Sequence, residues 1–89
     1  MKIEIYTKSY CPFCHRAKAL LDTKGLDYEE IEVSMNPALE QEAQKRSGRK
    51  TVPQVFINNH LIGGSDDLAD AAADGSLDKL LAQKSTVAP

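Results

Sequence analysis

Apolar and polar residues alternate from Lys2 to Thr7, with Ile3 and Ile5 on one face, and this period of two predicts a strand. A helix is predicted next. Cys11 fits its N-cap, Pro12 fits the first helical position, where a missing N–H costs nothing, and Ala17, Leu20 and Leu21 form an apolar stripe that runs towards Gly25 as C′ residue. Leu26 to Val33 reads as a second strand around Tyr28, Ile31 and Val33. Strand, helix, strand over so short a span predicts a parallel pair joined by a right-handed crossover. Asn36-Pro37 opens a second helix, polar apart from Leu39 and Ala43, that ends near Ser47-Gly48. Gln54 to Ile57 and His60 to Ile62, separated by Asn58-Asn59, predict a hairpin with a two-residue turn. Gly63-Gly64 ends it. Ser65 is expected to cap a further helix with Asp66 and Asp67 in its first turn and Leu68, Ala69, Ala71 and Ala72 behind them. Gly75 breaks this helix, Leu77 to Gln83 add another turn or two, and Ser85 to Pro89 are expected as a loose tail.

The chain of 89 residues is read as one domain, residues 1–84, with the tail at 85–89. Its 42% hydrophobic and 27% charged residues are ordinary for a soluble globular protein, and no apolar run is long enough for a membrane span. Met1 to Tyr6 lacks the continuous apolar stretch of a secretory signal, so a cytoplasmic location is expected. A net charge of −2 argues against a nucleic-acid partner, although the charge is uneven. No acid lies between Glu4 and Asp22, where Lys8, Arg16 and Lys18 surround two cysteines, and Lys45, Arg46, Arg49 and Lys50 precede Thr51-Val52-Pro53.

Those cysteines, Cys11 and Cys14, are the only two, and they are three positions apart. A disulfide between them closes so small a ring that the chain-entropy gain is roughly 2 kcal/mol before strain, which is poor use for a staple. A helix N-terminus, with unsatisfied N–H groups and the positive end of the dipole, instead favours a reactive thiolate. As N-cap, Cys11 is expected to accept from the N–H groups of Phe13 and Cys14, with Lys8 and Arg16 nearby, whereas Cys14 lies inside the first turn. Cys11 is therefore the expected nucleophile and Cys14 the resolving thiol. A zinc site would need Cys11, Cys14, His15 and His60 together, and His15 and His60 lack finger-like spacing, so no metal is expected. Tyr6, Tyr10, Tyr28 and Phe56 are read as core or core-edge residues.

The CPFC segment, the later Thr51-Val52-Pro53 and the final Gly63-Gly64-Ser65-Asp66-Asp67, in this order and spacing, resemble a glutaredoxin of the short dithiol bacterial type over residues 1 to about 83. The resemblance implies an α/β thioredoxin-like fold with a four-stranded mixed sheet flanked by helices. It implies a monomeric, glutathione-dependent thiol–disulfide oxidoreductase acting on glutathione mixed disulfides and protein disulfides, with glutathione as co-substrate. Val52-Pro53 then corresponds to a cis-proline turn whose Val52 backbone meets the cysteinyl unit of glutathione, flanked by Thr51. Gly64, Ser65, Asp66 and Asp67 would hold the γ-glutamyl end through helix amides and a carboxylate. Phe13 would wall the site, and Lys8, with Arg49 as a further candidate, would face the glycyl carboxylate. Three positions depart from the pattern: Phe13 replaces a common Tyr, Ser65 a common third cysteine, and Glu40 a common Arg or Gln. Two other classes compete, an iron–sulfur cluster carrier, which Pro12 disfavours, and a dithiol donor reduced by a flavoprotein reductase, which the Gly63 to Asp67 segment disfavours.

Overall fold

The computed structural model describes residues 2–80. Its strands are β1 (Ile3–Thr7), β2 (Glu29–Glu32), β3 (Gln54–Ile57) and β4 (His60–Gly63), and its helices α1 (Pro12–Thr23), α2 (Pro37–Ser47) and α3 (Ser65–Asp74). They form a mixed sheet in the order β2-β1-β3-β4, with β1 parallel to β2 and antiparallel to β3, and β3 antiparallel to β4. The expected four-stranded mixed sheet with flanking helices is thus present. Residues 76–80 are helical beyond Gly75; the rest of the last expected turn and the tail at 85–89 lie outside the described residues.

Period-two alternation in β1 and β3 builds two cores, one on each side of the sheet. Ile3, Ile5, Val55 and Ile57 meet Ala17 and Leu21 of α1, Leu68 of α3 and Leu77. On the other face Tyr6 and Phe56, edge to face at 5.9 Å, meet Val33 and Ala43 of α2. Because both faces are covered, every residue of β1 is buried, Glu4 included. The alternation at Lys2 to Thr7 therefore does not mark a solvent face. Arg46 of α2 lies over Glu4, 2.7 Å from its carboxylate, and its guanidinium stacks 4.0 Å from the Phe56 ring centre. β2 is shorter than the Leu26 to Val33 reading. It is an edge strand whose Glu29, Glu30 and Glu32 are exposed, a composition that discourages pairing with another chain.

The local signals act as their chemistry requires. The Asn36 side chain caps α2 by accepting from the Leu39 N–H at 3.2 Å, and Gly48 closes that helix at φ 74°. Asn58 and Asn59 both have positive φ, the conformation a two-residue primed turn needs. Tyr10, read as a core-edge residue, is instead 73% exposed in the connection between β1 and α1, outside both packed elements.

Candidate active site

Three segments distant in sequence line one cleft of about 210 Å³: Phe13 from the start of α1, Arg49 and Thr51 to Pro53 from the loop before β3, and Gly64 to Asp67 from the start of α3. The sheet order brings them together, because β1 and β3 are neighbours and α1 and α3 pack on the same face. The Val52-Pro53 bond is cis, as the resemblance implies. Gln54, buried at the head of β3, donates from one Nε2 to the carbonyls of Arg49 and Thr51, both at 3.0 Å, and so fixes the curvature of this loop. Glu32 performs the same service for the loop before Cys11, accepting from the Ser9 N–H at 3.1 Å and from Ser34.

Cys11 is the N-cap of α1 with Pro12 at N1, but its sulfur makes no cap hydrogen bond. This corrects the expectation that it accepts from Phe13 and Cys14. The Cys11 carbonyl takes the first helical amides, from Cys14 at 3.2 Å and His15 at 3.3 Å, while the thiol donates towards the Val52 carbonyl at 3.8 Å. The cis-proline loop thus places a backbone acceptor beside this sulfur. Cys14 is fully buried and its thiol is pushed up to about 12, first by burial; the Lys8 backbone amide works against this, and Cys11 adds to it. The two thiols thus differ in access, since Cys11 is half-buried. Phe13 is 51% exposed as a wall of the cleft, with the Arg16 guanidinium 5.6 Å from its ring centre.

The charged residues are arranged differently from the sequence expectation. Lys8 does not line the cleft; its ammonium is 2.6 Å from Glu40, whose hydrogen bond raises the Lys8 pKa. Glu40 therefore acts here by engaging Lys8. Asp67 is committed as well. Its Oδ2 accepts from Arg49 at 2.8 Å and from the Gly64 N–H at 3.0 Å, and the Arg49 bond foremost holds its carboxyl below the usual range. The N-cap of α3 is Gly64, and Ser65 is its first helical residue, so the expected Ser65 cap is replaced by Asp67 reaching back to the Gly64 N–H. Asp66 is exposed and, among the described residues, has no ion-pair partner. Arg49 joins the site as the cation of the cleft. The resemblance offers it as a further candidate beside Lys8, and the cleft includes Arg49 and not Lys8.

The sequence pattern of the Glutaredoxin family matches residues 3–62. The chain is 56% identical over 79 residues to Glutaredoxin 3 of Escherichia coli (strain K12), a match covering 89% of this chain and 95% of that protein. In structure it is similar to the glutaredoxin of Brucella melitensis, with a TM-score of 0.80 and 49% identity over 91% of this chain and 88% of that one. It is also similar to a buckwheat glutaredoxin solved as a glutathione complex, with a TM-score of 0.83 and 33% identity over 91% of this chain and 76% of the other.

Proposed function

This chain belongs to the glutaredoxin family and is a glutathione-dependent thiol–disulfide oxidoreductase, and from that premise we propose that Cys11 is its nucleophile, Cys14 its resolving thiol, and the cleft beside them its glutathione site. In one branch the Cys11 thiolate attacks the glutathione sulfur of a mixed disulfide, the substrate thiol leaves, and a second glutathione frees Cys11. In the other, Cys11 attacks a protein disulfide and Cys14 displaces the substrate, leaving an oxidised pair for glutathione to reduce. The observation that carries this reading is the convergence of Phe13, Thr51, Val52, Pro53, Gly64, Ser65, Asp66 and Asp67 on one cleft, with the Cys11 sulfur against the Val52 carbonyl.

Within that cleft the Val52 backbone pairs with the cysteinyl unit of glutathione, and Phe13 shields the sulfur–sulfur contact. The first-turn amides of α3, at Ser65 and Asp66, meet the γ-glutamyl carboxylate, since such amides lack partners within a helix. Asp66 is the counter-charge for the ammonium, because Asp67 is already engaged. Arg49, which lines the cleft and pairs with Asp67 through Nη1, takes the glycyl carboxylate in preference to Lys8, which lies outside the cleft lining and is held by Glu40. Protein partners are glutathionylated or disulfide-bearing proteins, met by a monomer in the reducing cytoplasm. No helix among the described residues is long and apolar enough to cross a membrane. The test is turnover of a glutathionylated small disulfide with glutathione, glutathione reductase and NADPH. Glutathione-dependent turnover is expected; turnover only with a flavoprotein reductase as electron source would reject the cleft assignment.

A further inference from the structure

Cys14 is the reacting group that the cleft does not serve. In the protein-disulfide branch a Cys14–Cys11 sulfur bond forms as the bond from Cys11 to the substrate sulfur breaks; the substrate sulfur leaves with the electron pair and ends as a thiol carrying the proton Cys14 gave up. Two electrons thus pass from the cysteine pair to the substrate. In between, Cys14 must bear negative charge while fully buried, which is costly without a nearby cation.

Lys18 is such a cation. It follows Cys14 by four residues in α1, so the two side chains share a helix face. Its ammonium is 2.9 Å from Glu30 Oε2 on β2, and the same oxygen accepts the hydroxyl of Thr7, buried in β1, at 2.7 Å. The Lys18 side chain is only 21% exposed, so the charge is tied down between helix and sheet. The other two cations near the cysteines are turned elsewhere, Lys8 to Glu40 and Arg16 to the Phe13 ring.

We propose that Lys18, held by Glu30 and Thr7, is a positioning residue for the resolving step, stabilising the developing Cys14 thiolate without serving the first attack by Cys11. The inference rests on the division of labour between the two cysteines proposed above. The coupling runs both ways: the Lys18 charge eases ionisation of Cys14, adding to the larger effect of the Lys8 amide, and Lys18 keeps its proton more firmly, chiefly through its hydrogen bond to Glu30 with a smaller contribution from Cys14. Lys18 therefore acts as a fixed charge and carries no proton. The groups that act on Cys14 are Cys11, the Lys8 amide and Lys18, those that act on Lys18 are Glu30, Tyr28 and Cys14, and those around Glu30 are Lys18, Thr7, Glu32 and Tyr28, the last also beside Asp22.

Stopped-flow mixing of the reduced protein with an aromatic disulfide that yields a coloured thiol separates the steps, since the first equivalent reports attack by Cys11 and the second reports displacement by Cys14. In Lys18→Met the second release should slow about three- to tenfold near neutral pH, the size expected for losing one partly screened charge. Its rise with pH should move to higher pH, while the first release keeps its rate. Lys18→Arg should restore most of the second rate, and Glu30→Gln should fall between Lys18→Met and wild type. A second release in Lys18→Met that matches wild type at every pH overturns the proposal. So does equal slowing of both releases without rescue by Lys18→Arg, which would mark a merely structural role. A wild-type protein that releases one equivalent only would overturn the division of labour, and this proposal with it.

Discussion

At the residue scale the two cysteines and the two aspartates are each pairs of one residue type whose surroundings set them apart. Cys11 is half-buried beside an acceptor, whereas Cys14 is fully buried and pushed up to about 12, so Cys14 remains a thiol at neutral pH. Limiting alkylation at neutral pH followed by peptide mass mapping should find the label on Cys11; label on Cys14 would contradict the assignment. Cys14→Ser should keep turnover of glutathione mixed disulfides, which never needs the second sulfur, and lose reduction of protein disulfides that need resolution. Cys11→Ser should lose both. The aspartates divide similarly, since Asp67 serves Arg49 and Gly64 while Asp66 is free of ion pairs among the described residues. Asp66→Asn is expected to raise KM for a glutathionylated substrate several-fold, for the loss of about 1 kcal/mol of charge-assisted contact. The effect should shrink with added salt. An unchanged KM at low salt would remove Asp66 from the site.

At the scale of elements, the start of α3 is where backbone and site depend on each other most closely. Gly63 ends β4 at φ 123°, and a Cβ placed there would come within 2.8 Å of the Asp67 Cβ. A side chain at this position thus meets both an unfavourable backbone region and the residue that closes the helix. Gly63→Ala should destabilise the protein by about 1–3 kcal/mol, and should weaken glutathione binding as Asp67 shifts away from Arg49 and the Gly64 amide. Thermal unfolding and KM check the two parts; a wild-type melting temperature would refute the crowding. The caps of α2 need no such coupling, because Asn36, Pro37 and Gly48 act within one turn of their own helix.

On the scale of the whole molecule, Arg46 ties three parts of the chain together. It donates to Glu4 at 2.7 Å, to Tyr6 Oη at 3.1 Å and to Asn59 at 2.8 Å, joining α2 to β1 and to the hairpin turn. The hydrogen bond from Arg46, ahead of the opposing effect of burial, holds the Glu4 carboxyl below its ordinary value of 4.5. A lowered folded-state pKa means that the unfolded chain takes up the proton first. The stabilisation is therefore complete above the ordinary value and is lost as pH falls through the depressed one. Glu30, lowered chiefly by its hydrogen bond from Lys18, works in the same direction. Urea unfolding across the acid range should show stability falling as pH drops below about 4.5, and Glu4→Gln should flatten that fall. An equally steep fall in Glu4→Gln would mean that the Arg46 pair does not govern acid stability.

The sequence by itself determined most of the elements and pointed to most of the residues that line the cleft. Alternation in β1 and β3, the proline and asparagine starts of the helices, the Asn58-Asn59 turn and the CPFC, Thr51-Val52-Pro53 and Gly63-to-Asp67 segments are signals written within a few residues of where they act. Short-range sterics and hydrogen bonding suffice to read them. Only the tertiary structure decided which long charged side chains meet. Glu4 looks solvent-facing until Arg46, 42 residues away, covers it; Lys8 looks free for substrate until α2 brings Glu40 to it. Asp66 and Asp67 were equivalent in sequence until Arg49 and the Gly64 amide engaged Asp67. The Lys18–Glu30–Thr7 contact likewise exists only because β2 pairs with β1 beneath α1. Ion pairing depends on the final few ångströms between elements packed from opposite parts of the chain, and no local pattern encodes that distance.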